Sequence, residues 1–374
     1  MSAGVYLHIP FCRSRCSYCD FATDVYKSDE AVQRYVAAIC KEITRHENTR
    51  PENRVDTIYF GGGTPSLLNA DQVESILISV RSRFDISLGA EVTMEMNPAT
   101  VTPETLRDYR LLGINRASFG VQTFNDRALK LLARGHDAAD ARQTFSMLRD
   151  AGFDNVSFDL IGGLPGQTLE DWKTNLAEAI KLSPEHLSLY LLEIHEGTPL
   201  AEQVRSGRQP RPDEDLAAEM YETMLDKLAV AGYEQYEISN FSRHGFESRH
   251  NSKYWRLEPV FGLGVSAHSF DGVQRYANER DTAKYVSMIE NFGSAEITRE
   301  NIDAASEFVF LGLRLESGID LSDYWERFGT NLEDVFCTEL RELSDSGLIE
   351  IDSRQLRLSR KGKLFSNEVF SIFV

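Results

Sequence analysis

The sequence contains no run of about 18 apolar residues, so it predicts no transmembrane helix. It also lacks the basic and then apolar opening that marks a secretory signal. Cysteine is scarce, with five in 374 residues, and such an odd, low count is unlike a secreted disulfide scaffold. Together these absences predict a cytoplasmic protein with no integral membrane segment.

Basic residues are also few. The chain has 40 Lys and Arg against 58 Asp and Glu, which gives a formal net charge of −18. A surface of this sign repels phosphate backbones, so nucleic-acid binding is disfavoured. Hydrophobic residues (42%) and charged residues (26%) occur at ordinary globular levels, which excludes a disordered, collagen-like or low-complexity protein. The length suggests one large domain with an appendage, or two domains.

The first two thirds of the chain alternate short β-rich runs with stretches of helical period. The runs TIYF, VSFDLI and LSLYLL are nearly continuous in apolar, β-branched or aromatic residues, which is typical of strands buried on both faces of a parallel sheet. Six such units fit a partial (β/α)6, TIM-like α/β barrel better than an open three-layer sheet, although periodicity alone does not separate the two. The predicted strands are 5–9, 55–60, 91–96, 115–121, 155–161 and 186–192.

The pattern changes near residue 301. Three helical stretches are followed by two short β-rich runs, which outline a small C-terminal α+β domain of winged-helix-like type. These stretches lie at 304–315, 321–328, 332–346, 348–351 and 356–358. The predicted division of the chain is therefore a barrel at 1–232, an aromatic-rich connecting region at 233–300 and a C-terminal domain at 301–374.

Three cysteines lie close together in the segment YLHIPFCRSRCSYCDF, where Cys12, Cys16 and Cys19 have C-x3-C-x2-C spacing. Thiolates are soft ligands that suit iron–sulfur clusters or zinc. On a [4Fe–4S] cluster, three cysteines would hold three irons and leave the fourth open to another ligand. The alternatives are a zinc site completed by a distant histidine, or simply buried thiols. Cys40 and Cys337 lie far from the motif and are interpreted as small apolar residues.

With Tyr18 before the third cysteine, the motif resembles the C-x3-C-x-aromatic-C signature of the radical S-adenosylmethionine (SAM) superfamily. The resemblance implies that the open iron chelates SAM and that the reduced cluster cleaves SAM to a 5′-deoxyadenosyl radical, with the protein supplying binding and orientation. It further implies a set of SAM-binding residues. These are Tyr6, Tyr18, the glycine-rich turn Gly62, Gly63 and Thr64, and the polar residues Glu95, Gln122, Arg134 and Asp159.

Longer motifs narrow the resemblance. YxHIPFC, GGGTP, GVQTF, DLIGGLPGQ and HNSKYW together resemble the oxygen-independent coproporphyrinogen III oxidase group over nearly the whole chain. The true oxidase carries a fourth cysteine two residues past the third, whereas Asp20 and Phe21 follow Cys19 here. The three-cysteine form and the HNSKYW motif resemble the heme chaperone branch, of HemW type, whose members bind heme and pass it to acceptor hemoproteins such as respiratory enzymes.

Resemblance to this branch implies heme binding at His250, Tyr254 and Trp255. Histidine is a common axial ligand of heme iron, and the two aromatic rings offer flat surface to a porphyrin. On residue type alone, His250 would be an ordinary hydrogen-bonded histidine, and only the motif favours heme. His8, beside the cysteine motif, is expected to be structural or to support the cluster through a hydrogen bond.

The sequence therefore predicts a heme chaperone with heme as cargo and with a [4Fe–4S] cluster and SAM in its barrel. A homodimer and a peripheral membrane contact through the acceptor are left open. The rival prediction is an enzyme, either a coproporphyrinogen III dehydrogenase or another radical SAM tetrapyrrole-modifying enzyme. No catalytic residue is assigned.

Overall fold

The computed structural model describes residues 2–46 and 54–373. Its strands, in chain order, are β1 (Ala3–Ile9), β2 (Phe11–Cys12), β3 (Asp24–Val25), β4 (Val55–Gly62), β5 (Ile86–Met96), β6 (Arg116–Gln122), β7 (Val156–Gly162), β8 (His186–Leu191), β9 (Glu234–Glu237), β10 (Asn240–Ser242), β11 (Val260–Leu263), β12 (His268–Phe270), β13 (Gln274–Asn278), β14 (Glu296–Asn301), β15 (Ile319–Asp320), β16 (Ile349–Ile351) and β17 (Gln355–Leu358).

One or two helices follow each of the first six long strands, and four of them begin with a reciprocal capping box, at Asn69, Thr102, Asp137 and Thr168. The helices, in chain order, are α1 (Asp29–Arg45), α2 (Ala70–Arg83), α3 (Pro103–Leu112), α4 (Asp126–Leu131), α5 (Ala138–Asp150), α6 (Leu169–Leu182), α7 (Pro199–Arg205), α8 (Glu214–Val230), α9 (Arg249–Trp255), α10 (Thr282–Phe292), α11 (Ala304–Gly312), α12 (Leu321–Phe328), α13 (Leu332–Val335), α14 (Cys337–Asp345), α15 (Arg360–Leu364) and α16 (Ser366–Phe370).

The main sheet has twelve strands within the described ranges, and its centre is parallel. Strands β1, β4, β5, β6, β7 and β8 lie side by side in that order, and every neighbouring pair is parallel. Strand β6 is buried at all seven positions, as a strand covered on both faces must be. The predicted six-unit α/β architecture is therefore confirmed. Among the described strands the two ends of the sheet, β14 and β9, do not pair with each other, so the barrel is open.

Residues 233–300 are more than the predicted connecting region, because they supply strands to both edges of the main sheet. Strands β10 and β9 extend it antiparallel beyond β8. On the other side, β11 pairs in parallel with β1, and β12, β13 and β14 follow antiparallel. Helix α10 packs on α1, where the buried hydroxyl of Tyr285 donates to Glu42 at 2.6 Å.

The C-terminal segment has the winged-helix-like outline that the sequence predicts. Helices α11 to α14 precede the β16–β17 hairpin, and the short β15, which the sequence did not indicate, pairs with β17. A separate apolar core holds it together, built around Val309, Tyr324 and Leu356, and this core also takes in Leu257 and Phe270 from the preceding region. Across residues 2–46 and 54–373, no helix is both long and apolar enough to span a bilayer.

Candidate functional site

A cavity of about 800 Å³ opens at the carboxyl ends of the parallel strands, the usual place for sites in parallel α/β folds. Ten of the residues predicted from the sequence line it together. They are Cys12, Cys16, Tyr18, Cys19, Gly62, Gly63, Glu95, Gln122, Arg134 and Asp159. Thr64 lies immediately behind this wall, where its hydroxyl is 3.5 Å from Cys12 Sγ. Tyr6 does not line the cavity, and its hydroxyl instead lies 3.1 Å from His8 Nδ1.

The three cysteines are partly buried free thiols on the segment that follows β1. Burial raises the pKa of the Cys12 thiol. Within residues 2–46 and 54–373, no three His, Cys, Asp or Glu side chains converge on one point as ligands of a single ion would. A [4Fe–4S] cluster makes a different demand, because each thiolate binds a different iron. Three thiols spread along one cavity wall fit that demand.

Arg134 places a buried positive charge beside the cysteines. Its Nη1 lies 3.4 Å from Cys16 Sγ, and its Nη2 donates to Asn97 Oδ1 at 2.6 Å and to the Gly120 carbonyl at 2.7 Å. Its Nε is buried and has no partner among the described residues. A buried donor without a partner costs free energy, and the guanidinium that carries it lines the cavity, so a negatively charged ligand there is favoured. A carboxylate is the group that a guanidinium binds best.

Steric contacts explain why glycine occupies positions 62 and 63 of the glycine-rich turn. A Cβ on Gly63 would lie 2.7 Å from the carbonyl of Pro10, and a Cβ on Gly62 would lie 2.7 Å from the ring of His8. Gly62 also has φ of +110°, a region that other residues rarely adopt. The absence of a Cβ therefore lets the backbone of this turn contact the segment before Cys12 closely. The Gly62 N–H donates to Glu95 Oε2 at 3.1 Å.

Two partly buried carboxyl groups, of Glu95 and Asp159, face the same cavity. Burial, together with the nearby Asp159, raises the pKa of Glu95 to about 7, although the Tyr59 hydroxyl, which donates to Glu95 at 2.8 Å, lowers it. Burial also raises the pKa of Asp159. A cationic ligand beside them would restore their ionisation, and hydroxyl groups could donate to them. The pair therefore suits a ligand that carries an amine or sulfonium charge and a ribose.

Several cavity residues were not among the predicted site residues: Asn97, Tyr190, His195, Arg314 and Lys363. Asn97 follows β5 directly, so its place at a strand end was a usable signal. Arg314 and Lys363 reach the cavity from the C-terminal domain, and nothing in their local sequence indicates this.

The HNSKYW motif lies on α9, away from the cavity, against the first half of β4 and β5. The backbone N–H of His250 donates to Glu91 at 3.1 Å, and its Nδ1 lies 2.9 Å from the hydroxyl of Thr57. Its Nε2 lies 3.2 Å from the hydroxyl of Tyr254. The side chain of Lys253 is buried between Asp56 and Glu258, at 2.8 and 3.0 Å. The motif closes the amino-terminal end of the barrel.

This geometry corrects the expectation that His250 is an axial ligand of heme. The residue is 1% exposed, and burial lowers its pKa to about 3. Both ring nitrogens already face protein hydroxyls, so neither is open to an iron. Trp255 is not a free porphyrin surface either, because the guanidinium of Arg314 lies over its ring at 4.3 Å. Tyr254 serves as the partner of His250.

Two family models match this chain. The radical SAM superfamily model matches residues 6–179, and the HemN C-terminal domain model matches residues 300–365. The heme chaperone HemW of Bacillus subtilis (strain 168) is 36% identical to this chain, covering 99% of both. The heme chaperone HemW of Escherichia coli (strain K12) is 32% identical and covers 99% of this chain and 98% of its own length.

A solved structure described as the coproporphyrinogen III oxidase HemN from Escherichia coli, a radical SAM enzyme, superposes with a TM-score of 0.87. It is 25% identical, and the superposition covers 100% of this chain and 90% of that one. The fold and the C-terminal domain are thus shared with that enzyme. The radical SAM superfamily implies a [4Fe–4S] cluster and SAM as cofactors. By its similarity over nearly the full length, this chain belongs to the HemW family of heme chaperones within the radical SAM superfamily.

Proposed function

We propose that this chain binds heme and delivers it to acceptor hemoproteins such as respiratory enzymes. The observation that carries the proposal is the match to heme chaperones over 99% of the chain. The cysteine motif supports it as well, since Asp20 and Phe21 stand where the oxidase group continues to a fourth cysteine. We propose the cytoplasm as the place of action, with membrane contact only through an acceptor.

The cavity supports a [4Fe–4S] cluster on Cys12, Cys16 and Cys19. Bound there, the cluster would supply one-electron redox chemistry and an open iron for SAM. Arg134, which lines the cavity, would hold the SAM carboxylate, and Glu95 and Asp159 would face its amine and ribose.

The remaining predicted residues complete this cofactor site. Gln122 lies on the cavity wall, Tyr18 lies beside Arg134, and Thr64 contacts Cys12 from behind. Tyr6 would act through His8 rather than by touching SAM. We propose that the loaded site maintains a conformational or dimeric state for heme transfer, rather than decarboxylating a porphyrin.

The test is an anaerobic titration of the full chain with hemin, followed at the Soret band, and then mixing with an apo-hemoprotein acceptor. We expect saturable 1:1 binding and appearance of the acceptor's own heme spectrum. Unsaturable, non-stoichiometric uptake, or heme that stays with the chain at every acceptor concentration, would reject the chaperone function.

Because the chain shares its fold with the oxidase, oxidase activity is the enzymatic alternative to be tested. Coproporphyrinogen III dehydrogenation should be assayed anaerobically with the reconstituted protein, SAM and a reductant. The proposal expects no protoporphyrinogen above the rate of a sample lacking protein. Steady formation of protoporphyrinogen would make the chain an enzyme.

A further inference from the structure

We propose that heme is held at the mouth of the cavity, with His195 as axial ligand and Asp20 as the carboxylate that orients its ring. This inference rests on the proposed heme-binding function and places the cargo site. Neither residue belongs to the HNSKYW motif, whose histidine is enclosed at the other end of the barrel.

His195 has the exposure that an iron ligand needs. It lies in the segment after β8 and lines the cavity, and its side chain is 47% exposed. Its Nδ1 lies 4.0 Å from Asp20 Oδ2. Histidines that bind metals commonly direct one ring nitrogen to a carboxylate and bind the metal with the other. A small rotation of these two exposed side chains would bring Nδ1 within hydrogen-bond distance of Asp20 and leave Nε2 for iron.

The backbone at His195 is fixed although its side chain is free. The carbonyl of His195 accepts two hydrogen bonds from Thr198, one from the hydroxyl at 2.7 Å and one from the N–H at 3.3 Å. The same Thr198 hydroxyl accepts from the N–H of Ala201 and so caps α7. The imidazole is therefore carried on an anchored turn, which limits the entropy lost on binding.

The walls of the mouth suit a porphyrin. Phe21 is 67% exposed and Tyr190 is 44% exposed, and both line the cavity together with Leu192. Large exposed aromatic surface of this kind marks binding sites for flat apolar ligands. On the side of the C-terminal domain, Arg314 and Lys363 supply cations for the two propionates. Both already pair with glutamates, so propionates would share these cations.

Asp20 connects this site to the cluster. It is the residue after Cys19, and its carbonyl accepts from Arg280 at 2.9 Å. The position of the Asp20 carboxylate therefore follows the conformation of the cysteine segment. A cluster bound by Cys19 would fix that segment, and with it the orientation of His195. The heme site would thus depend on the cluster without direct contact between the two.

The experiment is an equilibrium titration with hemin of the full chain with its cluster reconstituted, comparing His195→Ala with His244→Ala. His244 is an exposed histidine in a turn and is the matched control. We expect His195→Ala to weaken 1:1 binding by more than tenfold and to remove the histidine-ligated ferric spectrum and EPR signal. Added imidazole should restore that signal, because it can occupy the open space. Asp20→Asn should shift the spectrum with a smaller loss of affinity.

The outcomes separate this site from the function itself. Wild-type affinity in His195→Ala would overturn the site and leave the chaperone function standing. Loss of binding in His250→Asn but not in His195→Ala would also overturn it and would move heme to the HNSKYW motif. Absence of saturable binding in the wild-type chain would instead reject the proposed function.

Discussion

The imidazole of His250 stacks on the ring of Tyr59, with ring centroids 5.0 Å apart and an interplanar angle of 28°. The hydroxyl of the same tyrosine donates to Glu95 Oε1 at 2.8 Å, and Glu95 Oε2 accepts from the Gly62 N–H. Tyr59 therefore joins the HNSKYW motif, at the amino ends of the strands, to the glycine-rich turn at their carboxyl ends. In this structure the motif therefore contacts a residue of the cavity wall, Glu95, through Tyr59.

Tyr59→Phe tests this support, because it removes the hydroxyl and keeps the stacked ring. We expect SAM affinity to fall about tenfold, since a hydrogen bond to an ionisable group contributes about 1.5 kcal/mol or more. The free energy of unfolding should fall by about 1 to 2 kcal/mol as well, because the same hydrogen bond is present in the folded protein without SAM. The measurement is calorimetric titration of the cluster-loaded protein with SAM.

Tyr285→Phe is the control for that variant. It removes a similar buried hydroxyl–carboxylate hydrogen bond, to Glu42 at 2.6 Å, away from the cavity. SAM affinity should equal that of the wild-type protein. Equal SAM affinity in Tyr59→Phe and the wild-type protein would contradict the supporting role of Tyr59.

Glu42 predicts a pH dependence of stability that is independent of the cofactors. Burial raises its pKa from an ordinary 4.5 to about 7, even though Tyr285, Gly264 and Asn278 donate to it. Between pH 4.5 and about pH 7, Glu42 is deprotonated in the unfolded chain and protonated in the folded chain. The contribution of Glu42 to the free energy of unfolding therefore decreases as the pH rises. Glu42→Gln cannot ionise. We expect it to gain about 1 to 3 kcal/mol relative to the wild-type protein between about pH 4.5 and about pH 7.5.

Urea unfolding of both proteins across that pH range measures the difference. Glu42→Gln also turns one acceptor into a donor, so a constant offset between the two curves is expected. Only the change of that offset with pH tests the prediction. Parallel curves would show that Glu42 is ionised in the folded protein throughout.

Gly62 and Gly89 form a natural pair for testing the turn. Both have positive φ, +110° and +76°, but a Cβ at Gly62 would lie 2.7 Å from the His8 ring, whereas Gly89 has open space. We expect Gly89→Ala to cost about 1 kcal/mol, from backbone strain alone. Gly62→Ala should lower the melting temperature further and abolish SAM binding, because its N–H then moves from Glu95. Similar melting temperatures for the two variants would show that the turn can shift to accommodate a Cβ at position 62.

The barrel was predictable from the sequence because strands buried on both faces are nearly continuous apolar runs. The cavity residues were predictable for a related reason. Glu95, Gln122 and Asp159 stand at or near strand ends, and parallel strands bring those ends to one edge of the sheet. The three cysteines are close in sequence, so their spacing alone indicates a cluster-binding motif.

The location of His250 was not predictable in the same way. Its partners Thr57 and Glu91 are 193 and 159 residues away in the chain, so no local pattern shows that α9 is inserted into the barrel. A sequence motif specifies residue types, but it does not specify whether their side chains face a cavity, the solvent or the protein interior. Similarly, Arg314 and Lys363 reach the cavity only because the C-terminal domain packs over it.

The five cysteines give a final prediction with its control in the same chain. Cys12, Cys16 and Cys19 line the cavity, whereas Cys40 is partly buried on α1 and Cys337 is exposed on α14. Serine is a poor ligand for cluster iron, so the triple serine variant of the cavity cysteines should hold no iron or sulfide after anaerobic reconstitution. The Cys40→Ser, Cys337→Ser double variant should keep the full brown absorbance. A complete cluster in the triple serine variant would show that other residues hold the cluster. Unchanged hemin binding in the triple serine variant would show that the heme site does not depend on the cluster.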